Sequence, residues 1–287
     1  MTVEKIIFVA LLAFTLSNCT KESSTAEEPQ LNFSFSFNAE QARLNNFGQE
    51  VAVSSGNAAQ TPDFKLLGIH YIELSQANDI PAYNGTVLLN SPTTTQGGSE
   101  AIDFDKARYT SGNENVFSMS LKDIPPGVYP YVRISLSYQK YDIDFWVNNV
   151  AYSGTLASFV GSNTYVKTFT INEKSLSINA NKKQGFWAFE PHIANVSVIQ
   201  GQAPATTVPN PLFATSAIPA GSCLVTGIFE TPLVITGNET DNININCGIS
   251  INNSFEWQDL NGNGLYEPTL NENVVDMGVR GLIPRIE

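Results

Sequence analysis

Residues 31–38 read Leu31-Asn32-Phe33-Ser34-Phe35-Ser36-Phe37-Asn38, an alternation without a break. Leu31, Phe33, Phe35 and Phe37 fall on one face, and the polar residues fall on the other. Period two marks a strand with one buried face and one wet face. Further runs rich in Val, Ile, Tyr and Phe extend outward from it, at 64–74, 86–89, 101–104, 116–121, 129–138, 143–147, 165–171, 175–178 and 186–189. More follow at 223–229, 233–236, 242–249 and 255–257, with Gly, Pro, Asn and Ser between them as turn formers. No window sustains the spacing of a long amphipathic helix. Residues 39–47 are the most helix-like and read as a turn or a helix of one to two turns. Many short strands with Gly and Pro punctuation predict an all-β fold, an antiparallel β-sandwich.

The stretch 204–219 (PATTVPNPLFATSAIP) holds four prolines and little periodicity. It divides the chain into a large sandwich over 31–198, a proline-rich linker or surface loop over 199–219, and a smaller β unit over 220–287. The smaller unit has few strands and is expected to pack on the larger one.

The 287 residues carry 15 Lys and Arg against 27 Asp and Glu, a net charge of −12. A field of that sign repels nucleic-acid phosphates and anionic lipid heads, so no nucleic-acid partner is expected. Two histidines and three cysteines leave almost no material for zinc-finger or His-rich metal chemistry.

Residues 6–16 (IIFVALLAFTL) are uncharged and follow Lys5. Eleven apolar residues are too few to span a bilayer, which takes about 20, but they suit the apolar segment of an export signal. Leu16-Ser17-Asn18-Cys19 resembles the lipobox of bacterial lipoproteins. The resemblance implies a lipoprotein signal peptide over 1–18, lipidation of Cys19, and a polar tether over 19–30. Membrane contact then runs through the N-terminal lipid alone. Lys21-Glu22 just after the cysteine is similar to the surface-export signals of Bacteroidota-type lipoproteins. That implies an outer-membrane protein at the cell surface, with a periplasm-facing position as the other outcome.

In such a compartment Cys223 and Cys247 are candidates for a disulfide, which would contribute about 3 kcal/mol by closing its loop. Two buried free thiols on separate strands are the competing reading.

The most specific local pattern is Asp259-Leu260-Asn261-Gly262-Asn263-Gly264-Leu265-Tyr266-Glu267. Oxygen-bearing side chains at positions one, three, five and nine, with Gly at six, let a backbone wrap a hard cation. The pattern resembles the loops of EF-hand-like and thrombospondin-type repeats. It implies Ca2+ held by Asp259, Asn261, Asn263, Leu265 and Glu267, in the weak extracellular range of about 10⁻⁴–10⁻³ M. Leu270 stands where such loops place a bidentate Glu, so Glu272 or Asp276 would have to fold back. Asn-Gly-Asn-Gly is also a strong turn sequence that needs no ion.

His70 and His192 could pair in a metal site only with further ligands such as Glu190 or a Met. No Gly-x-Ser-x-Gly elbow is present, and the expectation is that the protein is not an enzyme. Trp146 and Trp187 sit beside aromatic neighbours in strands and are candidate binding aromatics for a glycan or protein partner. Ile124-Pro125-Pro126-Gly127-Val128-Tyr129 with residues 101–104 (AIDF) is similar to uncharacterised lipoprotein sandwich domains, including the methanobactin-partner-like group. That likeness implies fold and not activity. The sequence thus points to a non-catalytic envelope lipoprotein presenting a ligand- or partner-binding β surface. A metal-handling lipoprotein and a secreted hydrolase are the alternatives.

Overall fold

The structure, a computed structural model, describes residues 28–45, 48–77, 84–203, 214, 218 and 221–287. The leader, Cys19, the tether up to residue 27 and most of the proline-rich stretch lie outside them.

Among the described residues nineteen strands follow in order. The first eight are β1 (Gln30–Asn38), β2 (Asn57–Gln60), β3 (Asp63–Ser75), β4 (Thr86–Asn90), β5 (Thr93–Thr94), β6 (Ala101–Asp103), β7 (Arg108–Thr110) and β8 (Asn115–Ser120). Next come β9 (Gly127–Val147), β10 (Val150–Phe159), β11 (Asn163–Thr170), β12 (Ser175–Lys183), β13 (Phe186–Pro191) and β14 (Ile199–Gln202). The last are β15 (Cys223–Ile235), β16 (Ile243–Ser250), β17 (Phe255–Gln258), β18 (Val274–Met277) and β19 (Leu282–Ile286). The described residues hold no α-helix; residues 39–41 form bends and Leu44 bridges to Glu50.

An eight-stranded sheet in the order β14-β13-β10-β9-β3-β4, with β15 added on β9 and β7 on β3, is the middle layer. One face meets the sheet β19-β16-β1-β8. Leu31, Phe33 and Phe35, the predicted core face of β1, are fully buried there with Ile245, Cys247, Ile249, Ile69, Ile134 and Leu136. Each such aromatic contributes about 2–3 kcal/mol of burial. The other face meets β12-β11-β6-β5 through Tyr138, Phe159, Val166, Phe169 and Phe186, with Phe104 packed on them.

β9 joins the two cores. The sequence reads as two strands, 129–138 and 143–147, parted by the polar run Gln139-Lys140, but a single 21-residue strand forms. Ser137 is the reason. It is an extra residue in the register, since Gly68 pairs with Tyr138 while Ile69 pairs with Leu136. Before it, Val132, Ile134 and Leu136 face the first core; after it, Tyr141 and Ile143 do so while Tyr138 faces the second. One inserted residue inverts the in-out alternation. The partner strand changes at the same place, because β15 pairs with 127–136 and β10 with 138–147. The Ser137 carbonyl accepts from the N–H groups of Val160 (2.9 Å) and Gly161 (3.1 Å), which hold the bulge in place.

The stretch 220–287 packs on the larger body through shared sheets. β15 belongs to the middle sheet, and β16 pairs in parallel with β1, Leu31 opposite Ile243. Only β17 and β18 form a small sheet of their own, and their third strand is β2 from the N-terminal half. A buried charge cluster stitches that sheet down. Glu256 ion-pairs with Arg43 and with Arg280 (3.3 Å), Arg280 also pairs with Asp276, and Asn57 donates to Glu256 (2.6 Å). Burial alone would raise the Glu256 carboxyl, yet Asn57, the Ser54 N–H and Arg43 hold it below the usual range.

The expected disulfide is likewise corrected. Cys223 and Cys247 are both free and buried. Cys223 lies opposite Leu136 in the middle sheet, whereas Cys247 stands between Phe35 and Pro284 in another sheet. Burial, with Asp276 nearby, pushes the Cys223 thiol up to about 12, and burial pushes Cys247 higher still.

Gly68 faces the bulge: a Cβ there would stand 2.6 Å from Ser137 Oγ and 3.0 Å from Tyr138 Cβ. Gly68→Ala is expected to destabilise the fold by about 1–3 kcal/mol through overpacking. Chemical denaturation checks this, and an unchanged midpoint would contradict it.

Candidate functional site

The Asp259 pattern is the loop of the β17–β18 hairpin, so two short paired strands fix both its ends. Asp259 Oδ1 accepts the N–H groups of Gly262 (2.8 Å) and Asn263 (3.2 Å), and Oδ2 accepts that of Gly264 (2.9 Å). Gly262 and Gly264 have φ of +70° and +73°, a backbone that favours glycine. The oxygens of Asn261 and Asn263 accept the N–H groups two residues on, at 3.1 and 2.8 Å. Their amide nitrogens both reach Glu267 Oε2, at 2.8 and 2.7 Å. Side chains of positions three, five and nine thus converge on one point.

Leu270 ends a short 3₁₀ turn (Pro268–Leu270), and Asn271 then reverses the chain with φ +64°. This two-residue detour brings Glu272 back. Its carboxylate accepts from Glu267 N (2.7 Å) and Leu260 N (3.2 Å), closing the loop from both ends. Glu267 and Glu272 are both buried. Asp276, the other residue considered, is engaged with Arg280. The oxygen donors suit a hard cation. Among the described residues, no group of three or more His, Cys, Asp or Glu side chains is close enough to hold a metal by itself, so any ion here would depend on the Asn oxygens and the Leu265 carbonyl.

The other candidates are dispersed. Trp146 lies opposite Ala151 and Trp187 opposite Ser158. Seven residues along β10 is about 23 Å, and the odd count puts the rings on opposite faces. Trp187 packs on the first core and covers Gly201, where a Cβ would meet its ring at 2.6 Å. Trp146 is half-buried, and its backbone N–H donates to the Tyr266 carbonyl (2.8 Å), so it adjoins the Asp259 loop. Trp257 is core.

His70 is buried beside Ser135 (3.2 Å), whereas His192 follows β13 at the level of Ser153, which faces Asp144. Nine residues of β9, about 30 Å, separate the two levels. Glu190 is occupied too. Burial would raise its carboxyl, but the N–H groups of Lys174, Asn172 and Glu173 hold it low.

A cluster not foreseen from the sequence surrounds His192. Its Nδ1 is 3.0 Å from Ser153 Oγ, and its Nε2 is 2.8 Å from Thr155 Oγ1. Thr155 donates to Asp142 Oδ1 (2.6 Å), while Lys65 stands 3.5 Å from the other oxygen of Asp142. The His192 N–H donates to the Ser153 carbonyl (2.9 Å). The hairpin Asn148-Asn149, with both residues at positive φ, sets this register. An Asn-Asn pair between alternating runs was the available signal for Asp142, Ser153 and Thr155. Nothing in the sequence marks His192 as their neighbour.

Compared with known proteins, the chain matches no family model, no curated protein and no solved structure.

Burial lowers the His70 imidazole from its ordinary 6.5 to about 4. The unfolded chain therefore binds a proton that the native state refuses. Stability from this residue is fully present above pH 6.5 and is lost as pH falls towards 4, by about 3 kcal/mol in all. Unfolding free energies measured at several pH values should show this slope in the wild type and a flatter one in His70→Gln; equal slopes would contradict it.

Proposed function

We propose that the protein is an exported, lipid-anchored envelope protein whose β body presents a surface to a protein or glycan partner. A calcium-stiffened loop sits at the end of that body remote from the anchor. The N-terminal features carry the export and lipid reading: the uncharged run 6–16, Lys5 and the lipobox-like residues ending at Cys19.

The direction of the strands supports the arrangement. Glu28, next to the tether, is held by Lys122 (2.6 Å) and Ser120 (3.3 Å), just before β9 begins. β9 runs away from that end for 21 residues, up to about 70 Å of contour. The Asp259 loop is bonded to Trp146 near its far end. A half-exposed indole beside a polar hairpin suits stacking against a sugar or a partner protein.

The observation that carries the calcium reading is Glu272. After a detour that the sequence pattern lacks, its carboxylate returns to tie both ends of the loop and sets a second buried acid beside Glu267. At about 10 mM Ca2+ and the weak affinity expected, mass action raises stability by about 1.4–2.7 kcal/mol. In a chain of this size that is about 2–5 °C in melting temperature. Thermal melts of the purified protein with calcium and with a chelator test this. Asp259→Ala should abolish the rise, and an unshifted wild type would refute the calcium reading.

The anchor is tested separately by fractionating cells. Cys19→Ala is expected to move the protein from the membrane fraction to the soluble one, and unchanged membrane association would count against lipidation.

A further inference from the structure

We infer that Ser153 is an activated nucleophile for acyl transfer, with His192 as its general base and with Thr155 and Asp142 as positioning residues.

The proton positions follow from donor roles. The Thr155 hydroxyl hydrogen is committed to Asp142 Oδ1. Thr155 Oγ1 can therefore only accept from His192, so Nε2 carries the imidazole proton. In the neutral ring Nδ1 is then a bare acceptor, and the one hydroxyl it meets is that of Ser153 at 3.0 Å. A nucleophile bonded to a base, with the base oriented by a third group, is the arrangement that activates serine. Asp142 acts at one remove: its charge fixes the Thr155 rotor and favours the imidazolium that forms when Ser153 loses its proton.

The parts are rigidly mounted. Ser153 and Thr155 are alternate residues of β10, Asp142 faces Thr155 from β9, and the His192 N–H is bonded to the Ser153 carbonyl. Strand-borne groups hold such geometry better than loop-borne ones. Ser153 is half-exposed and His192 exposed, so both are open to a substrate in solution.

The step balances without a cofactor. Ser153 Oγ bonds to the acyl carbon as its proton passes to His192 Nδ1, and the bond to the leaving oxygen breaks. His192 returns the proton to the departing oxygen. Water then attacks the acyl-serine, giving up a proton through His192, and the carboxylic acid leaves as the Ser153 hydroxyl is restored. An open sheet surface gives little enclosure for a developing oxyanion, so the substrate class is activated esters, which need the least stabilisation of that charge.

The probes are p-nitrophenyl acetate and a fluorophosphonate, used on the full purified protein. The expected result is a single fluorophosphonate adduct on the peptide containing Ser153, absent in Ser153→Ala. Labelling should fall at least tenfold in His192→Asn. In the wild type its rate should rise with pH through one ionisation, and that rise should vanish in His192→Asn. Thr155→Val removes the lock on the tautomer, and Asp142→Asn removes the charge. Both should shift the pH profile while keeping the adduct on Ser153, which a merely structural role would not do. No adduct in the wild type, an adduct on another residue, or equal labelling in His192→Asn would overturn the inference.

Discussion

One additional residue in one strand holds this architecture together. A regular 21-residue strand keeps the same alternate side chains on each face throughout, yet β9 gives the first core Val132, Ile134 and Leu136 before Ser137 and Tyr141 and Ile143 after it. Ser137 breaks the parity. At that point β9 changes neighbour from β15 to β10, and the opposite set of alternate side chains turns to the first core. The cost is local crowding, relieved by Gly68 and Gly161, at which any Cβ would press on Ser137 or Tyr138. The middle sheet is covered on both sides, and the described residues pack as the expected all-β sandwich with a further layer.

The small sheet depends on a different balance. Glu256 and Asp276 stand directly opposite each other in the β17–β18 register, an arrangement that repels unless neutralised. Arg43 and Arg280 supply the two positive charges. Burial raises Asp276 even so, while Glu256 with its richer set of donors is held low. Two acids of one sequence element are thus set apart by their surroundings alone. The hairpin they brace carries the Asp259 loop, so the loop stands on a base fixed from both sides.

Legibility in the sequence followed the range of the interaction involved. The core face of β1 could be read at once, since Leu31, Phe33 and Phe35 obey a two-residue period set by the backbone. The turn chemistry of Asp259 to Gly264 was likewise local, and the structure forms it through side chain to backbone bonds within a few residues. Glu272 was only one of two options, because its return depends on the left-handed turn at Asn271 rather than on spacing. The continuity of β9 was hidden, since a bulge needs partner strands to define it. Pairings across hundreds of residues were hidden too: β16 beside β1, Cys247 in a different sheet from Cys223, and His192 beside Thr155. Only tertiary structure chooses among such partners.

The clasp of β1 by β16 bears on how the chain is made. Leu31 meets Ile243 across 212 residues, so β1 has no parallel neighbour until nearly the whole polypeptide has left the ribosome. Contacts of such long separation are slow to form. Until then β1 has only its antiparallel neighbour β8, Leu31 opposite Met119, and the C-terminal strands act as the latch that closes its sheet.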